Sequence, residues 1–556
     1  MFERKNPLLS NCKVLFPAAL ICAVTAGCGS GGGGGEVAVP PTNALVSTVG
    51  AGTTGTGVVT TTTPTTGATT TPSFSFPDFS YDSTLGIVVN HRGNVEVSDQ
   101  KANFEVTFGR QAVSARSDEV RARTENGFDH CGYCSTVESL PLEAESGSQE
   151  VSNRGVIPRF AEHPEGSTQS FYLLPGEKTI SAARVLEPSE TRNCTIFAEV
   201  VNGKPIVARE TALAVARAFD LDNPQRPGTG IYQQVRDVFG SEWNQNPAGG
   251  RDGDNKIVLV FYSSKTLSSN LFGYVSPVDS VAPSRPESNR GEILYINGDK
   301  NLYQTLATIS HEFQHLVNLN QKIIRQGQFP SNASYENTTV NEGLSGLSEE
   351  VCGYGLNSGN TVLAGSVRDY LARPQEHEFF DFNQAGLGYG QGFLFFKYVR
   401  EQFGDEAIRQ LATSPQVGMA NLDSVLSPGF EETFRRWTVA NYVCNLSGNV
   451  PTMYKYPSGF TTKGNYPAGT LSGVATIPSF YDTTQTVSSL PVWSAAYLKL
   501  SHKPGVGADV TVENNPEAVF EVIFEATVGS HDAHGGGEAK SSPDEFRGEE
   551  RVAGVE

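Results

Sequence analysis

Residues 311–315 read His-Glu-Phe-Gln-His, and 26 positions after the second histidine the chain reads Asn-Glu-Gly-Leu-Ser-Gly-Leu-Ser-Glu-Glu. Residues four apart share one face of a helix, so His311 and His315 can offer two imidazole nitrogens at the roughly 2.0–2.1 Å that zinc prefers. Glu312, one step round the helix, can reach a water without itself closing the coordination sphere. Glu342 is the candidate third ligand. Three protein ligands and one open position make a catalytic site, whereas structural zinc is usually closed by four protein ligands. The chemistry of such a group is hydrolysis, with one catalytic Zn2+ activating a water and Glu312 acting as base.

Two helices must position these residues. Leu302, Leu306, Ile309, Phe313 and Leu316 recur at spacings of four and three, which gathers them into one apolar stripe. On that wheel both histidines fall opposite the stripe, facing away from the core. A second helix starts near Thr339; Glu342 and Glu349 share one of its faces, while Leu344, Leu347 and Val351 share the other. A metzincin would need glycine and histidine three and six residues after the second histidine, where this chain has Asn318 and Gln321.

At these residues the chain resembles the gluzincins, and specifically the hyicolysin family of secreted bacterial metallopeptidases. The similarity runs over roughly residues 190–450, through RNCTIFAEVV, DNKIVLVFYS, SNRGEILYING, the HEFQH helix, NEGLSGLSEE and GYGQGFLFFKYVREQFG. It implies an α+β zinc endopeptidase in which His311, His315 and Glu342 bind metal and Glu312 is the general base. Thermolysin-like relatives carry an aspartate four residues after the ligand glutamate; this chain has Gly346, which leaves Glu349 and Glu350 as candidates to orient a histidine. Tyr389 could match an oxyanion-stabilising tyrosine of related aminopeptidases or could be an aromatic cap on a core helix. The family also implies that the strand before the metal helix, Glu292 to Asn297, binds substrate by strand addition.

Length and charge bound the rest. At 556 residues the chain exceeds one typical domain core. A formal charge of -19 argues against nucleic acid and anionic membrane surfaces as partners, leaving protein or peptide substrates. Residues 1–27 read as a lipoprotein signal: Arg4, Lys5 and Lys13 precede an apolar run too short to span a bilayer, and Thr25-Ala26-Gly27-Cys28 resembles a lipobox. Cleavage there would leave Cys28 lipidated, the only membrane contact expected, and Gly29 after it favours the outer membrane. Simple secretion with a free Cys28 is the alternative. Cys131 and Cys134 read as half-bridges more readily than as a metal or redox pair, since no second CxxC accompanies them.

The remaining segments are read from composition. Residues 28–78 are glycine-rich and then Thr/Pro-rich, a flexible tether. Residues 79–204 carry short strand-like runs, an accessory β domain or a pro-region. Residues 205–459 hold the catalytic domain, 460–528 a small β-rich C-terminal domain, and 529–556 a disordered acidic tail. Asp252-Gly253-Asp254-Asn255 could hold calcium or form a plain turn. His377 could assist the transition state or be a surface histidine. Two functions follow: a zinc endopeptidase of the cell envelope, or a catalytically inactive surface lipoprotein that uses the same fold for adhesion.

Overall fold

The computed structural model describes residues 56–61, 73–76, 83–91, 101–109, 160–174, 178–243, 250, 252–281, 285–325, 335–382, 385–446, 450–502, 508–513 and 518–526. The segment read as a signal, Cys28, Cys131, Cys134 and residues 529–556 lie outside them. The fold is mixed α+β. Strands β1 (Thr56–Thr61), β2 (Ser73–Phe76), β3 (Ser83–His91) and β4 (Lys101–Gly109) come first. The middle of the chain supplies β5 (Thr168–Leu173), β6 (Lys178–Arg184), β7 (Cys194–Val201), β8 (Lys204–Pro205), β9 (Ile257–Tyr262), β10 (Gly273–Val275) and β11 (Ile293–Asn297).

Its helices are α1 (Arg209–Asp220), α2 (Ile231–Phe239), α3 (Pro277–Val281), α4 (Leu302–Leu319), α5 (Thr338–Val351), α6 (Thr361–Ala372), α7 (Ala385–Thr413), α8 (Gly418–Val425) and α9 (Phe430–Val443). Strands β12 (Lys463–Tyr466), β13 (Gly469–Ser472), β14 (Ile477–Ser479), β15 (Thr483–Pro491), β16 (Ser494–His502), β17 (Ala508–Glu513) and β18 (Ala518–Ala526) follow.

The central sheet runs β10-β11-β9-β7-β6-β5. Strand β9 is an unbroken apolar run, IVLVFY, buried at all six positions, as a strand covered on both faces must be. Its alternate residues divide between two cores. Ile257, Leu259 and Phe261 join the helical side with Phe313 and Leu316 of α4, whereas Val258, Val260 and Tyr262 join Phe171, Phe197 and Tyr295 on the other. Strand β11 pairs with β9 in parallel and with β10 antiparallel. Both edges of β11 are therefore occupied, and the expected strand addition at Glu292–Asn297 has no free edge to use. Outer strand β10 is itself buried, with Gly273 against α4.

Three helices around the metal residues begin on asparagine. The side chains of Asn301, Asn337 and Asn360 accept from the backbone N–H groups of Gln304, Thr339 and Leu363, which satisfies donors the helix cannot. Helices α5 and α7 then cross at two glycines. A Cβ on Gly392 would stand 3.0 Å from Gly343 Cα and 3.0 Å from Thr339 O. Alanine at 392 gains about 1 kcal/mol of helix propensity but forces the backbones apart, an overpacking cost of about 1–3 kcal/mol. Gly392→Ala should therefore lower the urea midpoint of unfolding; an unchanged or raised midpoint would show that the crossing has slack.

Strands β12 and β13 pair as a two-stranded ribbon, and the other remaining strands form two sheets, ordered β1-β18-β3-β16-β14 and β15-β4-β17-β2. Between them lie Ile87, Val89, Phe104, Val106, Phe108, Leu498 and Leu500. The outward Val88 and Tyr497 pack on Val439, Tyr442 and Val443 of α9. Two expectations change here. Within the segment read as a tether, Thr56–Thr61 and Ser73–Phe76 pair as strands with β18 and β17. The β-rich stretches before and after the helical region do not make separate sheets: β3 lies between β16 and β18, and β4 between β15 and β17. Local composition reports strand tendency but not the partner.

Candidate metal centre

Helix α4 carries His311, Glu312 and His315, and every residue from Thr305 to Leu319 is buried. The expected outward face is thus covered, because α5 packs directly on the histidines. That packing brings Glu342 Oε2 to 3.1 Å from His311 Nε2 and 3.5 Å from His315 Nε2. Ligands arranged tetrahedrally on zinc at roughly 2.0–2.1 Å stand about 3.3 Å from one another. Candidate ligand atoms of all three residues lie within 4.8 Å of one another, the one such group of three or more among the described residues. His315 Nε2, Glu342 Oε1 and Glu312 Oε2 are buried without hydrogen-bond partners. Buried polar groups are ordinarily satisfied, so these atoms fit a cation as the missing partner.

The far nitrogens of both rings are fixed by a surrounding layer. His311 Nδ1 lies 2.9 Å from Glu349 Oε1 and donates to it. His315 Nδ1 donates to Asn341 Oδ1 at 3.1 Å, an oxygen that also accepts from Asn318 Nδ2 at 2.6 Å. With these Nδ1 protons in place, both Nε2 atoms are turned toward Glu342. Glu349 is steadied by Asn360, whose side-chain amide also donates to Tyr354 O while its oxygen caps α6. Of the two orienting candidates only Glu349 reaches a histidine, since Glu350 pairs with Lys397 at 2.6 Å. Gly346 packs against Phe393. The sequence reading missed Asn360 and the role of Asn341; an asparagine opening a helix was the available signal for the first.

Electrostatics agree with a cation site. Burial pushes the Glu312 carboxyl up to about 7, against the pull of the His315 and His311 charges, while Glu342 and Glu349 push it further up. Burial would also raise Glu342, yet the His315 charge and the His311 hydrogen bond hold it at about 2. For His311 burial favours the neutral ring, but Glu342 and Glu349 outweigh it and raise its pKa well above the ordinary value. A carboxylate held ionised between two imidazoles is a place where a metal cation would displace protons.

The other candidates are placed as follows. Tyr389 is buried, its ring 6.3 Å from that of His311 and edge-on to Phe382 at 5.0 Å. His377 is buried, not on the surface, and burial lowers its pKa to about 4; its Nε2 would lie 3.1 Å from a Cβ placed on Gly388. The Asp252–Asn255 segment is a turn. Asp254 accepts from Ala161 N and Lys256 N, and Asp252 from Asp254 N.

A His/His/Glu group on two packed helices, with a further buried carboxylate beside it, fits a metallopeptidase. The chain is 33% identical over 91 residues to a protein named neutral metalloprotease ShpI, from Staphylococcus hyicus. The match covers 14% of this chain and 20% of that relative, so the chain spans about a fifth of the length of the curated protein it matches. No family model matches the chain. Among the described residues no helix is long and apolar enough to cross a membrane.

Proposed function

We propose that the protein is a zinc endopeptidase acting on protein or peptide substrates of the bacterial envelope or its surroundings. The observation that carries this reading is the meeting of His311, His315 and Glu342 around buried atoms that lack partners, with Glu312 alongside. When bound there, zinc would polarise a carbonyl and lower the pKa of water towards about 7. His311, His315 and Glu342 would hold the ion, with Glu349 and Asn341 fixing the two rings. Glu312 accepts the proton of the attacking water and returns it to the leaving amine, a task suited to a carboxyl held up to about 7 by burial. Tyr389, ring to ring with His311, is the candidate donor to the developing oxyanion. Lipidation at Cys28 would tether the enzyme to the outer membrane.

The test uses internally quenched peptides, some blocked at the amino terminus and some free. Zinc-loaded protein should cut both kinds, lose activity with a chelator and regain it with zinc. Cleavage of free peptides alone would make it an aminopeptidase. No cleavage by protein with zinc bound would leave the non-catalytic reading.

A further inference from the structure

We propose that Lys322 and Glu336 are positioning residues for the metal: their buried ion pair sets how far helix α4 slides along α5, and so where His315 stands against Glu342. This rests on the zinc reading of the site and concerns how its ligands are held. Lys322 lies seven residues after His315, and Glu336 six before Glu342. At helical rise Lys322 is about 10 Å beyond the histidine. The pair meets at 3.0 Å, Nζ to Oε2. The two helices are thus joined twice, once by this pair and once at the ligands themselves, where Glu342 Oε2 stands 3.5 Å from His315 Nε2.

Helix α4 does not stop at Leu319 but runs on into a π turn, Asn320–Ile324, in which Arg325 N donates to Asn320 O at 2.8 Å. Such turns close over five residues instead of four and recur at functional sites. Lys322, inside the turn, is 2% exposed. Its Nζ donates to Leu411 O at 2.8 Å and to Gln416 O at 2.7 Å. With Glu336, three donors meet three acceptors. Leu411 belongs to the last turn of α7, where a cation is favoured. Glu336 is buried too, and accepts from Gly418 N at the start of α8, from Asn421 Nδ2 and from Asn337 N. Asn337 in turn caps α5. One charge pair therefore ties the end of α4, the start of α5 and the α7–α8 junction. Helix α7 is itself seated on α5 at Gly392 and Gly343, the residue after Glu342.

Stability and position can be separated here. Neutral residues of similar shape often replace a buried pair at little cost, whereas removing one partner strands a charge. Neutral side chains do not reproduce the short, directed bonds that charged groups make. A shift of about 1 Å transmitted from outside a site can cost roughly 100-fold in rate.

The experiment compares the wild-type chain with Lys322→Met, Glu336→Gln and the double variant. Three quantities are read: the thermal midpoint of the metal-free protein, zinc affinity by competition against a chromophoric chelator, and the visible spectrum with cobalt(II) in place of zinc, whose bands report ligand geometry. The single variants should melt lower. The double variant should recover most of that loss yet bind zinc at least about 10-fold more weakly, with cobalt bands changed in position or intensity. Asn421→Ala removes one donor from Glu336 and keeps both charges; it should weaken zinc binding in the same direction, and it serves if the other variants do not fold. Variants that melt lower but keep wild-type zinc affinity and the wild-type cobalt spectrum would overturn the proposal and leave the pair a prop of the fold. A wild-type chain that takes up neither ion would overturn the zinc reading itself.

Discussion

Glu312→Gln is expected to keep its zinc and lose roughly 10²–10⁴-fold in turnover of an unstructured protein substrate. Glutamine has nearly the same shape but cannot take a proton. The side chain is 1% exposed and its Oε2 has no partner, so the exchange breaks no hydrogen bond at that atom. The measurement pairs metal content with initial rates. Undiminished turnover with zinc in place would sink the proposed role of Glu312 as base.

The second large effect concerns the third ligand. Glu342 reaches the Nε2 atoms of both histidines, whereas Glu349 touches only the far nitrogen of His311. Glu349→Ala should cost the roughly 10–100-fold in zinc affinity usual for a residue that steadies a ligand. Glu342→Ala removes a charge and a ligand together and should cost far more. Competition against a chromophoric chelator measures both. Were the two variants to swap ranks, Glu349 would be the ligand and Glu342 its support.

The parts of this site that could be read from sequence are those set by short periods. His311 and His315 are one helical turn apart, and Glu342 and Glu349 are two turns apart, so each pair shares a face whatever surrounds it. The packing of α5 onto α4 could not be read that way. Nor could the resulting burial of the histidines, because an apolar stripe says where one face goes and is silent about a polar face covered by another helix. Asn360 belongs to a third helix, and only folding brings it to Glu349. The buried ion pair joins Lys322 in a π turn to Glu336 ahead of α5, two residues that look like solvated surface charges in the sequence. Within the segment read as a tether, Thr-Gly-Val-Val-Thr-Thr carries β-branched residues suited to a strand; composition averaged over the whole segment hid them.

The interleaved sheets impose an order on biogenesis. The ring of His91 hydrogen-bonds Leu490 O across 399 residues of chain. At the about 5–20 residues per second of ribosomal synthesis, Leu490 follows His91 by roughly 20–80 s. Through that interval β3 and β4 lack the strands that flank them in the finished protein, and their unpaired edges are open to other chains. The helical core around the metal ligands draws on nearer sequence and can condense first. A chaperone or export factor that shields residues 83–109 until the last strands arrive would therefore raise the yield of folded protein, and cutting the chain before β15 would leave the helical core preceded by two strands with unpaired edges.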